Sequence, residues 1–82
     1  MYKILLTKRA IRDLERIDSK EKIRIGNKLK ILLTDPFSNS KRLSNPVIGT
    51  YRLRIGNYRI IFDIEKDNVV ILRIGHRKDI YK

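Results

Sequence analysis

The sequence predicts an α+β fold with the element order β-α-α-β-β-β, in which a helical hairpin covers one face of a mainly antiparallel sheet and leaves a basic face open. Two observations lead to this prediction. The first half of the chain spaces its apolar residues as helices do. The second half contains runs rich in β-branched and aromatic residues that are separated by short turns, as strands are. A length of 82 residues indicates a single domain over residues 1–82.

The chain begins with a short predicted strand and a first helix. "YKILL", from Tyr2 to Leu6, is an apolar run of strand length. Thr7 is the expected N-cap of the helix that follows, "TKRAIRDLERID". The apolar stripe of this helix consists of Ala10, Ile11, Leu14 and Ile17.

A second helix, "KEKIRIGNKLKILL", is expected to start after Ser19 as its N-cap and to end before Pro36. Its apolar stripe consists of Ile25, Leu29, Leu32 and Leu33. A close helix crossing would explain Gly26, because a glycine in mid-helix costs about 1 kcal/mol relative to alanine. The next stretch, "DPFSNSKRLSNPVIG", is predicted to be the one long loop, a kind of connection that often carries function.

"GTYRLRIGNYRII", residues 49–61, predicts a β-hairpin with a two-residue turn at Gly56 and Asn57. Such a turn sets three cross-strand pairs: Ile55 with Tyr58, Arg54 with Arg59, and Arg52 with Ile61. Alternation directs one set of side chains to the core: Tyr51, Leu53, Ile55, Tyr58, Ile60 and Phe62. The other face then carries three arginines, although like charges placed opposite each other destabilise a sheet by up to about 1 kcal/mol.

"VVILRIG" is predicted to be the last strand, after a turn at "EKDN". Alternation assigns one set of its residues to the core: Val70, Leu72 and Ile74. The basic face receives the others: Val69, Ile71, Arg73, Gly75 and Arg77. This arrangement requires an effective loop of three or five residues after Ile64. Five arginines then converge on one face, where Asp63 is expected to form an ion pair with Arg52 or Arg54.

The net charge of +11 favours a polyanionic partner, which is a nucleic acid, an acidic protein or an anionic membrane. The chain has no cysteine, and the apolar run near its start is far shorter than a signal peptide or a membrane span, so we expect a cytoplasmic protein. One histidine, no cysteine and no close carboxylate pair argue against a metal site, a nucleophilic triad or paired-carboxylate chemistry. No cofactor is implied.

The chemistry that remains is that of a phosphate-binding face. Guanidinium groups bind phosphate oxygens through two parallel hydrogen bonds and stabilise negative charge that develops on a phosphoryl group. RNA supplies its own nucleophile, the 2′-OH. An enzyme that orients this hydroxyl and stabilises the phosphorus centre can therefore cleave RNA without a metal ion and leave a 2′,3′-cyclic phosphate.

"YRLRIGNYRIIF" and "ILRIGHRKDIY", taken together, resemble the RelE family of toxins from bacterial and archaeal toxin–antitoxin systems. "TKRAIRDLERI" resembles the first helix of that family and "LLTDP" the end of its second helix, so the resemblance covers the whole chain. It implies a RelE-like fold and a ribosome-dependent endoribonuclease that cuts mRNA in the ribosomal A site. It also implies a cognate RelB-like antitoxin that wraps and neutralises the toxin.

The resemblance implies roles for individual residues. Arg52 and Arg54 match the basic pair on the first hairpin strand. Arg59 matches the arginine after the turn, and Arg77 matches the arginine of the last strand; both are expected to stabilise charge on the scissile phosphate. The expected RNA-binding set consists of Arg52, Arg54, Arg73 and Lys78.

Proton transfer has two candidates. Tyr81 matches the C-terminal tyrosine of the family, which is thought to stack on the substrate base or to move a proton, and surrounding cations would favour loss of its proton. His76 is the second candidate because imidazole titrates near neutral pH, although its parity also fits a structural residue on the core face. Arg54 stands where some family members have lysine, and it is a poor general base because arginine stays protonated.

Two other functions stay open. A ParE-type toxin shares this scaffold and poisons DNA gyrase, but it would not need the full set of arginines together with the terminal tyrosine. A non-enzymatic RNA-binding protein would bind RNA with a salt-dependent affinity and leave it intact.

Overall fold

The computed structural model describes residues 2–36, 41–42 and 51–80. Along the chain they form β1 (Lys3–Leu6), α1 (Lys8–Glu15), α2 (Ser19–Thr34), β2 (Lys41–Arg42), β3 (Tyr51–Ile55), β4 (Tyr58–Glu65) and β5 (Asn68–His76). The strands form one mixed sheet in the order β1-β5-β4-β3-β2, with β1 parallel to β5 and the other neighbours antiparallel. The predicted α+β class is confirmed. One correction is that β2 lies inside the stretch expected to be a loop, residues 35–49. Residues 37–40 and 43–49 of this stretch lie outside the described residues.

Thr7 begins α1 as predicted and also ties the helix to the sheet. Its hydroxyl accepts a hydrogen bond from the Ala10 N–H at 3.1 Å and donates one to the Leu72 carbonyl at 3.0 Å. Ala10 and Ile17 are buried in the core. Ile11, expected in the same stripe, is instead exposed, because the helix directs it away from the sheet.

The N-cap of α2 is Asp18, not Ser19. The Asp18 carboxylate accepts a hydrogen bond from the Glu21 N–H at 3.0 Å, and Ser19 is the first helical residue. Both residue types are favoured caps, but a carboxylate also complements the positive end of the helix. No helix in the described part of the chain is long and apolar enough to cross a membrane.

The predicted apolar stripe of α2 is confirmed: Ile25 and Leu32 are fully buried, and Leu29 and Leu33 pack beside them. The close helix crossing expected at Gly26 is wrong. A Cβ added at this glycine would meet no neighbouring group within 4 Å. Gly26 therefore weakens α2 with no compensating contact in the described structure.

The β3–β4 hairpin has the predicted register, with Ile55 opposite Tyr58 and Arg54 opposite Arg59. Gly56 takes the left-handed conformation that this tight turn requires, with φ at 56°. The helix-facing side chains of the sheet pack under α1 and α2. The buried core consists of Ala10, Ile17, Ile25, Leu32, Leu53, Ile55, Ile60, Phe62, Val69, Ile71 and Ile74.

The first half of β5 has the opposite parity to the one predicted. A two-residue turn joins β4 to β5 in place of the expected odd-numbered loop, and it places Ile64 opposite Val69. Val69 and Ile71 therefore point into the core, where both are fully buried, while Val70 lies opposite Asp63 on the other face.

A β-bulge at Leu72 then restores the predicted faces. Phe62 pairs with Ile71 and Ile61 pairs with Arg73, so Leu72 is an extra residue on β5. Beyond the bulge, Ile74 points into the core, and Arg73 reaches the basic face as predicted.

Candidate nucleic-acid interface

Four arginines share the sheet face opposite the hydrophobic core. In one row of the sheet, Arg52 and Arg73 flank Ile61; in the next row, Arg54 and Gly75 flank Arg59. The arginine face is defined here as Arg52, Arg54, Arg59 and Arg73. The structure thus brings together four of the five arginines that alternation assigns to this face, while Arg77 lies just beyond the end of β5. Ile61 in their midst is fully buried, so the face is less open than the sequence predicts.

Arg59 is built into the hairpin turn. It is only 5% exposed, and its Nη1 donates hydrogen bonds to the carbonyl oxygens of Gly56 at 2.9 Å and Tyr58 at 2.8 Å. Charged donors on carbonyl groups form strong hydrogen bonds in a buried setting. Arg59 therefore stabilises the turn and fixes one positive charge at the tip of the hairpin.

Arg73 is held by an acidic residue that the sequence reasoning missed. The Asp13 carboxylate accepts hydrogen bonds from Arg73 Nε at 2.7 Å and Nη2 at 3.4 Å, and from the Ile74 N–H at 3.0 Å. The helix pattern could have indicated that Asp13 faces the sheet, because it follows Ala10 by three residues and precedes Leu14 on the buried side of α1. The charge of Arg73 is therefore largely balanced within the fold.

Arg52 differs from Arg59 and Arg73 because one of its N–H donors has no hydrogen-bond acceptor in the described part of the chain. This donor is its buried Nε. Leaving a buried donor unsatisfied costs about 1–3 kcal/mol. Arg54, beside it on β3, is exposed. The ion pair expected between Asp63 and either arginine stays a prediction.

The chain after β5 turns back over the arginine face. The Arg77 N–H donates to the Asn57 carbonyl at 2.8 Å, which brings Arg77 beside the hairpin turn. Ile80 is buried, and its Cβ lies 3.6 Å from the position that a Cβ would occupy on Gly75. Ile80 is thus a structural anchor that no local sequence pattern predicted. Tyr81, the next residue, lies outside the described residues.

His76 does not join the arginines. It pairs with Tyr58 on the core side of the sheet, where the two rings meet edge to face with centroids 5.8 Å apart. Its Nδ1 accepts a hydrogen bond from the N–H of Lys78 at 3.2 Å, and the Lys78 side chain is exposed. This placement matches the structural interpretation of His76.

Comparison with known proteins gives the family. A family model described as the ParE toxin of the type II toxin-antitoxin system parDE matches residues 4–81. Toxin RelE3 of Methanocaldococcus jannaschii is 30% identical over 88 residues, which cover 96% of this chain and 94% of the relative. The chain belongs to the RelE/ParE superfamily of type II toxins.

Two further relatives of the toxin come from Mycobacterium tuberculosis. Toxin RelG is 40% identical over 53 residues, which span 62% of this chain and 61% of RelG, less than two thirds of its length. The crystal structure of the toxin-antitoxin complex RelBE2 contains a chain that matches with a TM-score of 0.83 and 30% identity, covering 93% of this toxin and 98% of that chain. The fold and the family therefore agree over nearly the whole length of the toxin.

The described residues of the toxin suit electrostatic chemistry. No three His, Cys, Asp or Glu side chains among them lie close enough together to hold a metal ion. The arginine face, with exposed Arg77 at its border, instead offers guanidinium groups that can bind a phosphodiester and stabilise charge developing on it.

Proposed function

We propose that this toxin is a metal-independent endoribonuclease that cleaves mRNA on the ribosome. The observation that supports the proposal most is the placement of half-buried Arg52 beside exposed Arg54 on the sheet face that also carries Arg59. A phosphodiester would accept hydrogen bonds from guanidinium donors on this face and complement the neighbouring positive charges. The choice of mRNA as the substrate comes from the resemblance to the RelE family.

In the proposed reaction, the 2′-oxygen of one nucleotide attacks the adjacent phosphorus atom and the 5′-oxygen of the next nucleotide leaves. The 2′-OH loses its proton, the leaving oxygen gains one, and a 2′,3′-cyclic phosphate forms. Arg52 and Arg54 bind the backbone, and Arg59 and Arg77 stabilise the charge that develops on the phosphorus centre. Tyr81 contacts the base or moves a proton.

The other residues predicted for the site have weaker support. His76 lies across the sheet from the arginines, so its role in proton transfer is the less favoured alternative to Tyr81. Arg73 is paired with Asp13, and we propose that it contacts RNA only through donors that this ion pair leaves free. Lys78 is exposed and directly follows Arg77 in the chain, so it suits a phosphate contact.

Dependence on the ribosome follows from the lack of a strong base in the proposed site. Holding the 2′-OH in line with the leaving oxygen can remove about 7–11 kcal/mol of the barrier, and the ribosome would supply that positioning. We further propose that the toxin acts in the cytoplasm and is neutralised by a RelB-like antitoxin, because solved relatives are toxin-antitoxin complexes.

A test compares ribosomes programmed with a defined mRNA against the same mRNA free in solution. We expect cleavage within codons on the ribosome, little cleavage of free RNA, and products that end in a cyclic or 3′-phosphate. Equal rates on both substrates would contradict ribosome dependence, and products with a 3′-OH and a 5′-phosphate would contradict 2′-OH attack.

Poisoning of DNA gyrase is the second candidate, since the matching family model describes the ParE toxin. A supercoiling assay with purified gyrase separates the two. Inhibition of gyrase by a preparation that leaves ribosome-bound mRNA intact would favour this alternative.

A further inference from the structure

A basic groove separates α2 from the tip of the β3–β4 hairpin. Its volume is about 390 Å³, and its walls are formed by Arg24, Asn27, Lys28, Ile31, Arg54, Ile55 and Gly56. Three of these residues are cationic and none is acidic. Glu21, which pairs with Arg24 at 3.2 Å, lies outside the walls of the groove.

Arg54 belongs both to this groove and to the arginine face. On the sheet it stands opposite Arg59, and at the edge of β3 it lines the groove. The short strand β2 pairs only with Tyr51 and Arg52, so no strand of the described structure covers the edge beside Arg54. Among the residues that the structure describes, a positive surface therefore runs from the arginine face around the edge of β3 to α2.

We propose that this groove binds the sugar–phosphate backbone of single-stranded RNA that extends from the arginine face. The inference rests on the proposed function, and it adds a second RNA-binding surface to it. The groove offers three kinds of hydrogen-bond donor: the guanidinium of Arg24, the ammonium of Lys28 and the amide of Asn27. Phosphate and ribose oxygens accept hydrogen bonds from such groups. An acidic protein segment fits less well, because Ile31 alone among the lining residues is a strongly exposed apolar side chain.

The test measures binding of a single-stranded 2′-O-methyl RNA oligonucleotide, whose blocked 2′-oxygen prevents cleavage. Fluorescence anisotropy gives the affinity over a range of salt concentrations for the parent, Arg24→Gln, Lys28→Gln and Lys30→Gln. Lys30 is the matched control, because it is an exposed cation on the same helix that does not line the groove. Circular dichroism melts establish that all four proteins are folded.

We expect each groove variant to bind several-fold more weakly than the parent at low salt. The slope of log K against log salt should fall by about 0.7 for each phosphate contact that is lost. Lys30→Gln should match the parent in both quantities. In NMR spectra of the parent, the amide signals of Asn27 and Gly56 should shift when the oligonucleotide is added.

The outcomes separate this inference from the proposed function. If the parent binds the oligonucleotide and the groove variants bind it as tightly as Lys30→Gln does, the groove inference is overturned and the proposed function stands. If the parent itself does not bind the oligonucleotide, the groove inference is overturned, while the proposed function is decided separately by cleavage of ribosome-bound mRNA. If Lys28→Gln keeps full RNA affinity but no longer copurifies with a co-expressed antitoxin, the groove is a protein-binding site and the inference is again overturned.

Discussion

Replacing Asp13 with alanine should destabilise the fold more than any exposed substitution on the same helix. The Asp13 carboxylate accepts two hydrogen bonds from Arg73 and one from the Ile74 N–H. β1 pairs with β5 only over residues 68–71, so α1 lies along the remaining edge of β5. Asp13 thus bonds to a part of that edge where β1 offers no partner.

The size of the effect follows from burial. Removing one partner of a buried ion pair costs about 3–5 kcal/mol, and loss of a hydrogen bond to a charged group costs about 1.5–3 kcal/mol. The Asp13 and Arg73 side chains are 14% and 22% exposed, so solvent can partly compensate for the lost carboxylate. We expect Asp13→Ala to lower the free energy of unfolding by about 2–3 kcal/mol, which corresponds to a fall in Tm of roughly 8–24 °C.

Urea unfolding of four variants tests this prediction: Asp13→Ala, Arg73→Met, the double variant, and Glu15→Ala as an exposed control on α1. The control should stay within about 0.5 kcal/mol of the parent. The double variant should lose less stability than the two single changes added together, because neither charge is then left without its partner. If Asp13→Ala behaves like the control, the carboxylate does not hold α1 on β5 and the assigned role of Asp13 is wrong.

Three further predictions concern stability. Gly26→Ala should raise the free energy of unfolding by about 0.5–1 kcal/mol, because the added methyl group meets open space; a lower value in urea unfolding would mean that Gly26 has a packing role. Arg59→Leu should destabilise by about 1–3 kcal/mol, through loss of its carbonyl contacts, while exposed Arg77→Leu should stay within about 0.5 kcal/mol; equal thermal melts would contradict the structural role of Arg59. Sulfate should raise the Tm of the parent more than that of Arg52→Gln, and equal shifts would mean that Arg52 does not bind the anion.

Local patterns predicted the hairpin and the arginine face correctly. A two-residue turn with glycine at its first position fixes the pairing of the flanking strands, and alternation of large apolar residues with arginine leaves one register that fills the core. The same reasoning failed in β5, because Val69, Val70, Ile71 and Leu72 are all apolar and carry no alternation. Neither the two-residue turn before them nor the bulge at Leu72 could be recognised from such a run.

The errors at the candidate site come from contacts between distant parts of the chain. The helix pattern places Asp13 on the buried side of α1, but it cannot identify Arg73, 60 positions further along the chain, as the partner of Asp13. The sequence indicated the charge of Arg59 but not its second role, in which Nη1 binds the carbonyl groups of the turn and the side chain is buried. Ile80 packs on Gly75 only because the chain reverses after β5.

Mapping the 5′ ends of cellular mRNA after induction of the toxin is the most direct test of the proposed activity. New ends should cluster within translated codons. They should be absent when Arg77→Leu, which we expect to leave the fold intact because Arg77 is exposed, is induced at the same level. New ends spread evenly over translated and untranslated RNA would contradict cleavage on the ribosome. Growth arrest without new mRNA ends would contradict the endoribonuclease activity altogether.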